Sequence, residues 1–172
     1  MNKILAVIIT IFFCFVGCEA AGPRPPIELP FAVHQAGAAV STELRIVKDR
    51  EYPLYLKFMY NQKEHADQER VRKLIGSGRH TADGIFVEPG IPIPLKITVS
   101  IIESSGERIL LEKEVLTKGE TGHGVNYFDR KIGYIHLPQG LCRVKVQCSK
   151  DNPELVDTKV ILGIYLLERG IS

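Results

Sequence analysis

The chain has 172 residues, of which 45% are hydrophobic, 24% are charged and 8% are aromatic. This balance excludes a disordered or collagen-like chain and suits one globular domain of ordinary size. Lys and Arg total 22 against 20 Asp and Glu, which gives a formal net charge of +2. So small a surplus provides no strong positive field, so no nucleic-acid partner is predicted.

The amino terminus has the pattern of an export signal. Lys3 precedes an apolar run from Ile4 to Val16, and the small residue Gly17 follows. A basic start, an apolar centre and a small residue predict a signal peptide over residues 1–17. About 13 apolar residues in a helix rise about 20 Å, less than the roughly 30 Å of a bilayer core, so a permanent span is disfavoured.

Cys18 is the predicted lipidation site. Phe15-Val16-Gly17-Cys18 resembles the bacterial lipobox, although Phe15 stands where Leu is preferred. In that motif lipid is transferred to the cysteine sulfur and the chain is cleaved before it, and several acyl chains make attachment to the membrane stable. Residues 18–26 are rich in Gly and Pro and are interpreted as a tether.

The expected location is therefore the bacterial cell envelope, with the protein held on the membrane by its N-terminal lipid and facing the periplasm. The alternative is an ordinary signal peptide cleaved after Ala20 or Ala21, in which case Cys18 is removed.

Strands are predicted along most of the remaining chain. Apolar residues alternate with period two in eight segments bounded by Gly, Pro, Asn or Asp, which is typical of half-buried strands. The turn 103–107 joins the fourth and fifth segments and predicts a hairpin. The eight predicted segments are 27–33, 40–46, 52–60, 95–101, 109–116, 132–137, 141–148 and 160–167.

One segment, Asp67 to Gly76, predicts a short helix instead. Asp67 is a candidate N-cap, apolar residues stand at 71, 74 and 75, and Gly76 ends the pattern. The narrow apolar stripe places this helix across an end or edge of the sheets. Its exposed cations are candidates for contact with an acidic partner, although a solvated surface is the alternative; they are Arg70, Arg72 and Lys73.

Together these elements predict a mainly β fold, an antiparallel β-sandwich over residues 27–172 with one short helix between strands. An immunoglobulin-like topology is the preferred version, and a closed barrel is the alternative.

Cys142 and Cys148 are interpreted as small buried hydrophobic residues. Both point to the same side of a predicted strand. Six residues of strand separate them by about 20 Å, far beyond the roughly 7 Å limit for a disulfide, so they are not expected to pair.

The sequence contains no recognisable catalytic or metal-binding motif. The five histidines are dispersed without metal-ligand spacing, and the serines at 77, 104 and 105 lie outside a nucleophile elbow. No cofactor and no metal are predicted, and the protein is expected not to be an enzyme. A hydrolase that pairs His123 with Asp129 is a third, minor hypothesis.

Two long connections are candidates for binding a partner. Residues 118–129 place glycines around His123, followed by Tyr127 and Phe128, whose large rings are suited to recognition. The alternative is that both rings begin the next strand and face inward. In the connection 76–94, Phe86 is either an exposed anchor or a residue inserted beneath the loop.

A family resemblance rests on five short segments: 42–45 (TELR), 50–52 (REY), 88–92 (EPGIP), 141–144 (LCRV) and 153–155 (PEL). They resemble a family of small bacterial envelope proteins known as a domain of unknown function. The resemblance covers most of the mature chain and carries no catalytic residues.

The leading functional hypothesis is a non-enzymatic, protein-binding envelope lipoprotein that acts as an inhibitor or immunity protein against a secreted antibacterial effector. The immunity role rests only on analogy with other small envelope lipoproteins. Its partner would be an effector toxin or an envelope component, and the alternative is a carbohydrate- or peptide-binding accessory lipoprotein.

Overall fold

Nine strands and one α-helix form the fold in the computed structural model, which describes residues 22–166. The predicted signal peptide and the lipidation site Cys18 lie outside the described residues. In chain order the elements are β1 (Ile27–Pro30), β2 (Ala39–Ile46), β3 (Arg50–Met59), α1 (His65–Ile75), β4 (Ile93–Glu103), β5 (Gly106–Thr117), β6 (Gly122–His123), β7 (Tyr127–Leu137), β8 (Gly140–Cys148), a short 3-10 helix (Pro153–Leu155) and β9 (Val160–Ile164).

The strands form two antiparallel sheets. The five-stranded sheet has the order β1-β9-β3-β7-β6, and the four-stranded sheet has the order β2-β8-β4-β5. The predicted mainly β sandwich is confirmed, and the two separate sheets exclude the closed barrel. The pairs β3–β7 and β4–β8 match the B–E and C–F pairs of an immunoglobulin fold. The edges differ, because β9 lies beside β3 where strand A would lie and β2 lies beside β8 where strand G would lie.

The core lies between the two sheets because each strand turns one apolar row inward. Leu54, Leu56 and Phe58 from β3 are fully buried. Ile97 from β4 and Val146 from β8 are buried from the opposite side. Burial of these rows removes apolar surface from water and is the main favourable contribution to folding.

Most predicted strands agree with the structure, and the differences have local causes. The predicted hairpin is confirmed, with Glu103 opposite Gly106 in β4–β5. The first predicted strand, 27–33, ends at Pro30 because the chain then turns between Ala32 and Gln35, although Phe31 and Val33 remain buried. The predicted strand 132–137 begins earlier, at Tyr127, and the two-residue β6 was not predicted.

Helix α1 begins at His65, three residues before the start that an N-cap at Asp67 predicts. Glu64, not Asp67, occupies the N-cap position. The Asp67 carboxylate instead accepts a hydrogen bond from the backbone N–H of Asn61 at 2.7 Å and pairs with Arg70 at 2.8 Å. The predicted end is confirmed, because Gly76 follows the helix with a φ of 81°. Within residues 22–166, no helix has the length and apolar composition that a bilayer span requires.

A buried arginine joins the end of α1 to the neighbouring segments. Arg130 on β7 is completely buried. Its guanidinium donates to the carbonyl of Ile75 at 2.6 Å, the carbonyl of Ile91 at 2.6 Å and the carbonyl of Thr117 at 3.4 Å. One side chain therefore fixes the last turn of α1, the long connection before β4 and the end of β5.

Part of the predicted tether is packed against the folded domain. The carbonyl of Pro23 accepts a hydrogen bond from the backbone N–H of Arg45 at 3.0 Å, and Pro25 is buried. Residues 22–24 thus run beside β2 and satisfy part of an otherwise open sheet edge.

The two cysteines of β8 are buried free thiols, as predicted from their shared side of the strand. Cys142 and Cys148 both lie on the row that faces the core.

Candidate functional site

The outer face of the five-stranded sheet carries a cluster of tyrosines and charged residues. Because Leu54, Leu56 and Phe58 face the core, the alternate residues of β3 point away from it. Similar alternation on β1 and β7, and the residue just after β9, add side chains to this outer face. We call the group the tyrosine face, and its members are Glu28, Tyr55, Lys57, Tyr127, Asp129 and Tyr165.

Lys57 lies at the centre of the tyrosine face. Its Nζ donates to Oε1 of Glu28 at 2.6 Å, and it lies 4.3 Å from the ring centroid of Tyr127 and 5.0 Å from that of Tyr165. The Tyr165 hydroxyl donates to the same Glu28 oxygen at 2.5 Å. Only 14% of the Lys57 side chain is exposed. A carboxylate and two rings therefore hold the ammonium group in one position.

Hydrogen bonds within this cluster favour the charged forms of Glu28 and Lys57. Hydrogen bonds from Lys57 and Tyr165 lower the pKa of Glu28. Burial acts to lower the pKa of Lys57, but hydrogen bonds with Glu28 and Tyr165 outweigh burial and raise it overall. Burial also raises the pKa of Tyr165. At neutral pH the carboxylate, the ammonium and the neutral phenol thus form a fixed polar group rather than a proton-transfer site.

Two glycines bring tyrosine rings close to the backbone. A Cβ atom at Gly163 would lie 2.3 Å from Cε2 of Tyr165, and one at Gly124 would lie 2.3 Å from Cζ of Tyr127. Since non-bonded carbons normally approach to roughly 3.5–4 Å, only glycine leaves room for these rings. The third ring, of Tyr55, meets Tyr165 edge to face with centroids 5.8 Å apart. Rings in such contacts lose little further freedom when a partner binds.

Asp129 extends the tyrosine face toward the β6 edge. It is the partner of Lys57 across β3–β7 and of Gly122 across β6–β7. Burial raises the pKa of the Asp129 carboxyl, although the nearby Lys57 acts in the opposite direction. Its Oδ1 atom is buried and has no hydrogen-bond partner among the described residues. This acceptor is available to a donor on a partner that displaces the surrounding side chains.

A shallow cleft of about 470 Å³ adjoins Asp129 where the two long connections meet. His123 Nδ1 lies 3.3 Å from Oε1 of Glu120, and 72% of the His123 side chain is exposed. No three His, Cys, Asp or Glu side chains between residues 22 and 166 are placed to hold a metal ion. The cleft is lined by Gly78, His80, Glu120, Thr121, Gly122 and His123.

The tyrosine face and nearly all of the sandwich lie within one family match. The model of a domain of unknown function, DUF5625, matches residues 28–166. The chain belongs to this family. No curated protein matches the sequence.

A crystal structure provides an experimental relative of this DUF5625 domain. A protein from Sulfurospirillum deleyianum is 26% identical, with a TM-score of 0.72, and the match covers 86% of this chain and 100% of that chain. The antiparallel sandwich therefore has an experimentally determined counterpart.

The structure places the adjacent rings of Tyr127 and Phe128, both predicted as partner contacts, on opposite sides of a strand. Tyr127 and Phe128 begin β7, so they point to opposite sides of the sheet. Tyr127 is half-buried on the tyrosine face, whereas Phe128 is 1% exposed. Phe128 packs against Tyr60 with ring centroids 4.8 Å apart. The prediction that Phe128 contacts a partner is therefore wrong, because strand alternation turns its ring into the core.

The three cations of α1 that were predicted as candidate partner contacts have different surroundings. Arg70 is engaged within the domain, donating to Asp67, to the hydroxyl of Thr158 and to the carbonyl of Asp157. The Arg72 guanidinium lies 4.8 Å from the ring centroid of Phe128. Lys73 is exposed. Of the three, Arg70 is the least suited to a partner, because binding would have to break its existing hydrogen bonds.

Phe86 is half-buried and joins the two long connections instead of projecting as an anchor. It lies so close to Gly119 that a Cβ atom there would be 2.1 Å from Cε1 of the ring. Its ring also contacts the His80 ring at a tilt of 40°, with centroids 4.1 Å apart. Phe86 thus positions one side of the cleft that contains His123. The pairing of His123 with Glu120 leaves the hypothesised His123–Asp129 dyad without a hydrogen bond between its members.

Sequence reasoning missed four members of the tyrosine face, namely Glu28, Tyr55, Lys57 and Tyr165. The positions of Tyr55 and Lys57 could have been predicted, since the apolar alternation of the third predicted strand places residues 55 and 57 on the face opposite its apolar row. Tyr165 lies just beyond β9, and its proximity to Glu28 depends on the non-local pairing of β1 with β9. No local pattern reveals that pairing.

Proposed function

We propose that this chain is a bacterial cell-envelope lipoprotein that binds another protein through the tyrosine face and the adjoining cleft. It acts without enzymatic chemistry, as an inhibitor or immunity protein for a secreted antibacterial effector. The observation that carries the proposal is the Lys57 cluster, in which two tyrosine rings and Glu28 hold one lysine in place.

The composition of the tyrosine face favours a protein partner. Tyrosines dominate many binding hot spots because each ring offers a large contact area at a small entropic cost. Tyr127 and Tyr165 are already fixed against glycines, so most of that cost is met before binding. Lys57 and Asp129 add charges of opposite sign that select the partner's orientation.

Inhibition would occur by occlusion. A rigid sheet face and the shallow cleft beside it would cover the active-site opening of an effector that reaches the periplasm. Lipid attachment at Cys18 would keep the inhibitor near the membrane, where a membrane-damaging effector acts. No reaction at the tyrosine face is required.

Co-expression with toxin candidates encoded by neighbouring genes tests this proposal. The lipidated chain should restore survival and co-purify with its effector, and intact mass should show acylation of Cys18. Tyr127→Ala should weaken the complex roughly thirty-fold or more, as expected for a hot-spot ring. Ile109→Ala is the matched control, because Ile109 is 61% exposed on the four-stranded sheet. Equal binding by both variants would move the contact away from the tyrosine face.

The exposed portions of the tyrosines also support the alternative of a carbohydrate- or peptide-binding accessory lipoprotein. Sugars and extended peptides stack on aromatic side chains at open sites. A glycan array separates the two functions, since retention of a glycan that Tyr55→Ala abolishes would favour the accessory role.

A further inference from the structure

A second surface lies at the edge of the four-stranded sheet, where β5 is the outermost strand. β5 has 12 residues, whereas the edge strands of the other sheet, β1 and β6, have 4 and 2. The remaining edge strand, β2, is partly covered by residues 22–24. Within residues 22–166, β5 therefore provides the longest open strand edge. Such an edge offers unpaired backbone N–H and C=O groups to another chain.

A bulge and a lysine limit which part of this edge another strand can use. The register between β4 and β5 shifts between Val99 and Ser100, so the regular part of β5 is residues 111–117. Lys113 lies in the middle of this part and points toward the core side, where its Nζ donates to the carbonyl of Tyr134 at 3.1 Å. An inward-pointing charge of this kind discourages indiscriminate pairing between sheet edges.

The outward-pointing row of this segment consists of Glu112, Glu114 and Leu116, and all three residues are exposed. Glu112 pairs at 2.9 Å with Lys96, the only cation of β4. The two strands together thus present two carboxylates against one lysine on this part of the outer face. Since directly opposite side chains of paired strands contact each other, an added strand would place one side chain opposite each residue of the row.

The two carboxylates disfavour a second copy of this chain as the occupant of the edge. Two copies of β5 that pair antiparallel and symmetrically must share a central residue. A centre at Glu112 or Glu114 places that carboxylate opposite its own copy, and a centre at Lys113 places Glu112 opposite Glu114. Like charges directly opposite each other destabilise a strand pair. The charges of the row therefore favour a different chain, with cations at the facing positions.

We propose that the β5 edge binds an extended segment of a partner protein as an added antiparallel strand. This segment carries Lys or Arg opposite Glu112 and Glu114, an apolar residue opposite Leu116 and an acidic residue opposite Lys113. Backbone hydrogen bonds supply the affinity, and the facing side chains select the sequence. The site goes beyond the proposed function, because the tyrosine face lies on the other sheet and neither surface needs the other to be occupied.

Two labelled peptides with capped ends test this proposal by fluorescence anisotropy with the purified mature protein. TITKEKV places its lysines opposite Glu112 and Glu114 and its glutamate opposite Lys113, whereas TITEKEV exchanges lysine and glutamate at these positions. TITKEKV should bind roughly five-fold or more tightly than TITEKEV, because opposite charges replace like charges at three cross-strand positions. The net charge of +2 on the chain does not favour the basic peptide, so the preference is not a general electrostatic effect. Equal affinities, or no binding of either peptide, would overturn the proposal.

Glu114→Lys tests whether the preference arises at β5. This variant should lose most of the preference for TITKEKV, because like charges then face each other at one of the three positions. Glu154→Lys is the matched control, since Glu154 is an exposed glutamate in the 3-10 helix and the same change in net charge there should leave the preference intact. An equal effect of the two variants would overturn the assignment to β5.

N-methylation of the peptide tests for pairing through the backbone. Alternate residues of an antiparallel strand direct their N–H groups to the same neighbour, so a methyl group on the fourth or the fifth amide of TITKEKV should weaken binding in only one of the two cases. Full binding by both methylated peptides would overturn strand addition. A dimer of the protein that TITKEKV dissociates, detected by light scattering, would assign the edge to a second copy and also overturn the proposal. The titration requires neither an effector nor an acyl chain, so its failure and a failure of the proposed function are separate results.

Discussion

Arg130 donates a 2.6 Å hydrogen bond to the carbonyl of Ile75, the last residue of helix α1. The helix dipole concentrates negative partial charge at this end, so a cation is favoured there. Burial lowers the pKa of Arg130 to about 10, which still leaves it protonated at neutral pH. The interior of the sandwich therefore contains a charge whose hydrogen-bonding partners are backbone carbonyls.

Arg130→Leu should destabilise the domain by about 3 kcal/mol, because it leaves the carbonyls of Ile75, Ile91 and Thr117 without their donor. Urea unfolding measures the loss. Arg108→Leu is the control, since Arg108 is 61% exposed and its ion pair with Glu103 lies at the surface, and its effect should stay within about 1 kcal/mol. Similar midpoints for the two variants would show that Arg130 does not hold these segments together.

A second prediction concerns the close approach of Gly90 to the end of α1. A Cβ atom at Gly90 would lie 2.2 Å from the carbonyl carbon of Ile75. Gly84 has a similarly positive φ but no neighbour within 4 Å of such an atom. Gly84→Ala should cost about 1–2 kcal/mol from backbone strain alone. Gly90→Ala should cost about 1–3 kcal/mol more from overpacking, as measured by the difference in thermal and urea stability.

The sandwich was largely predictable because strand alternation is a local signal. The eight predicted segments overlap β1–β5 and β7–β9, and the hairpin turn at 103–107 agrees with the structure. Alternation also explains the error at Phe128, since adjacent strand residues cannot share a face. The Lys57 cluster was not predictable in the same way, because Glu28, Lys57 and Tyr165 meet only after β1, β9 and β3 pair. The role of Arg130 depends similarly on segments that are distant in sequence.

Because Tyr127 and Phe128 lie on opposite faces of β7, we expect substitution of Phe128 to reduce stability and substitution of Tyr127 to reduce partner binding. Phe128→Ala should cost about 3–5 kcal/mol, because it removes a buried ring and leaves a cavity. Tyr127→Ala should cost much less stability, since its half-buried ring lies on the outer face, but it should weaken partner binding. Chemical unfolding and a binding measurement on both variants separate these effects. A Phe128 variant with normal stability and impaired binding would reverse the assignment.

The half-buried carboxyl of Asp129 predicts that its removal increases stability in a pH-dependent way. Its pKa is raised from 3.8 on folding, so the folded chain binds the proton more tightly than the unfolded chain. The domain therefore loses stability as pH rises from 3.8 through the higher pKa of the folded state. Asp129→Asn should therefore stabilise the domain at neutral pH, and the gain should shrink as pH falls toward 3.8.

Asp67→Asn provides a control of opposite sign for the Asp129 substitution. A hydrogen bond from the Asn61 backbone and another from Arg70 lower the pKa of Asp67. Its stabilising contribution is present above the unfolded value of 3.8 and is lost as pH falls through the lowered folded value. Urea unfolding at a series of pH values should show Asp67→Asn to be destabilising at neutral pH. A shared direction for both variants would contradict the assigned environments.

The two thiols of β8 should react only after the domain unfolds. Burial raises the pKa of Cys142 to about 11, which keeps it in the unreactive thiol form. The Cys148 thiol is fully buried and donates to the carbonyl of Val33 at 3.2 Å. Peptide masses after iodoacetamide treatment should show neither residue modified in the native protein and both modified in urea. Val47→Cys provides a reactive comparison, since Val47 is 57% exposed. Alkylation of Cys142 or Cys148 at the rate of that exposed thiol would mean that β8 separates from β2 or β4 under native conditions.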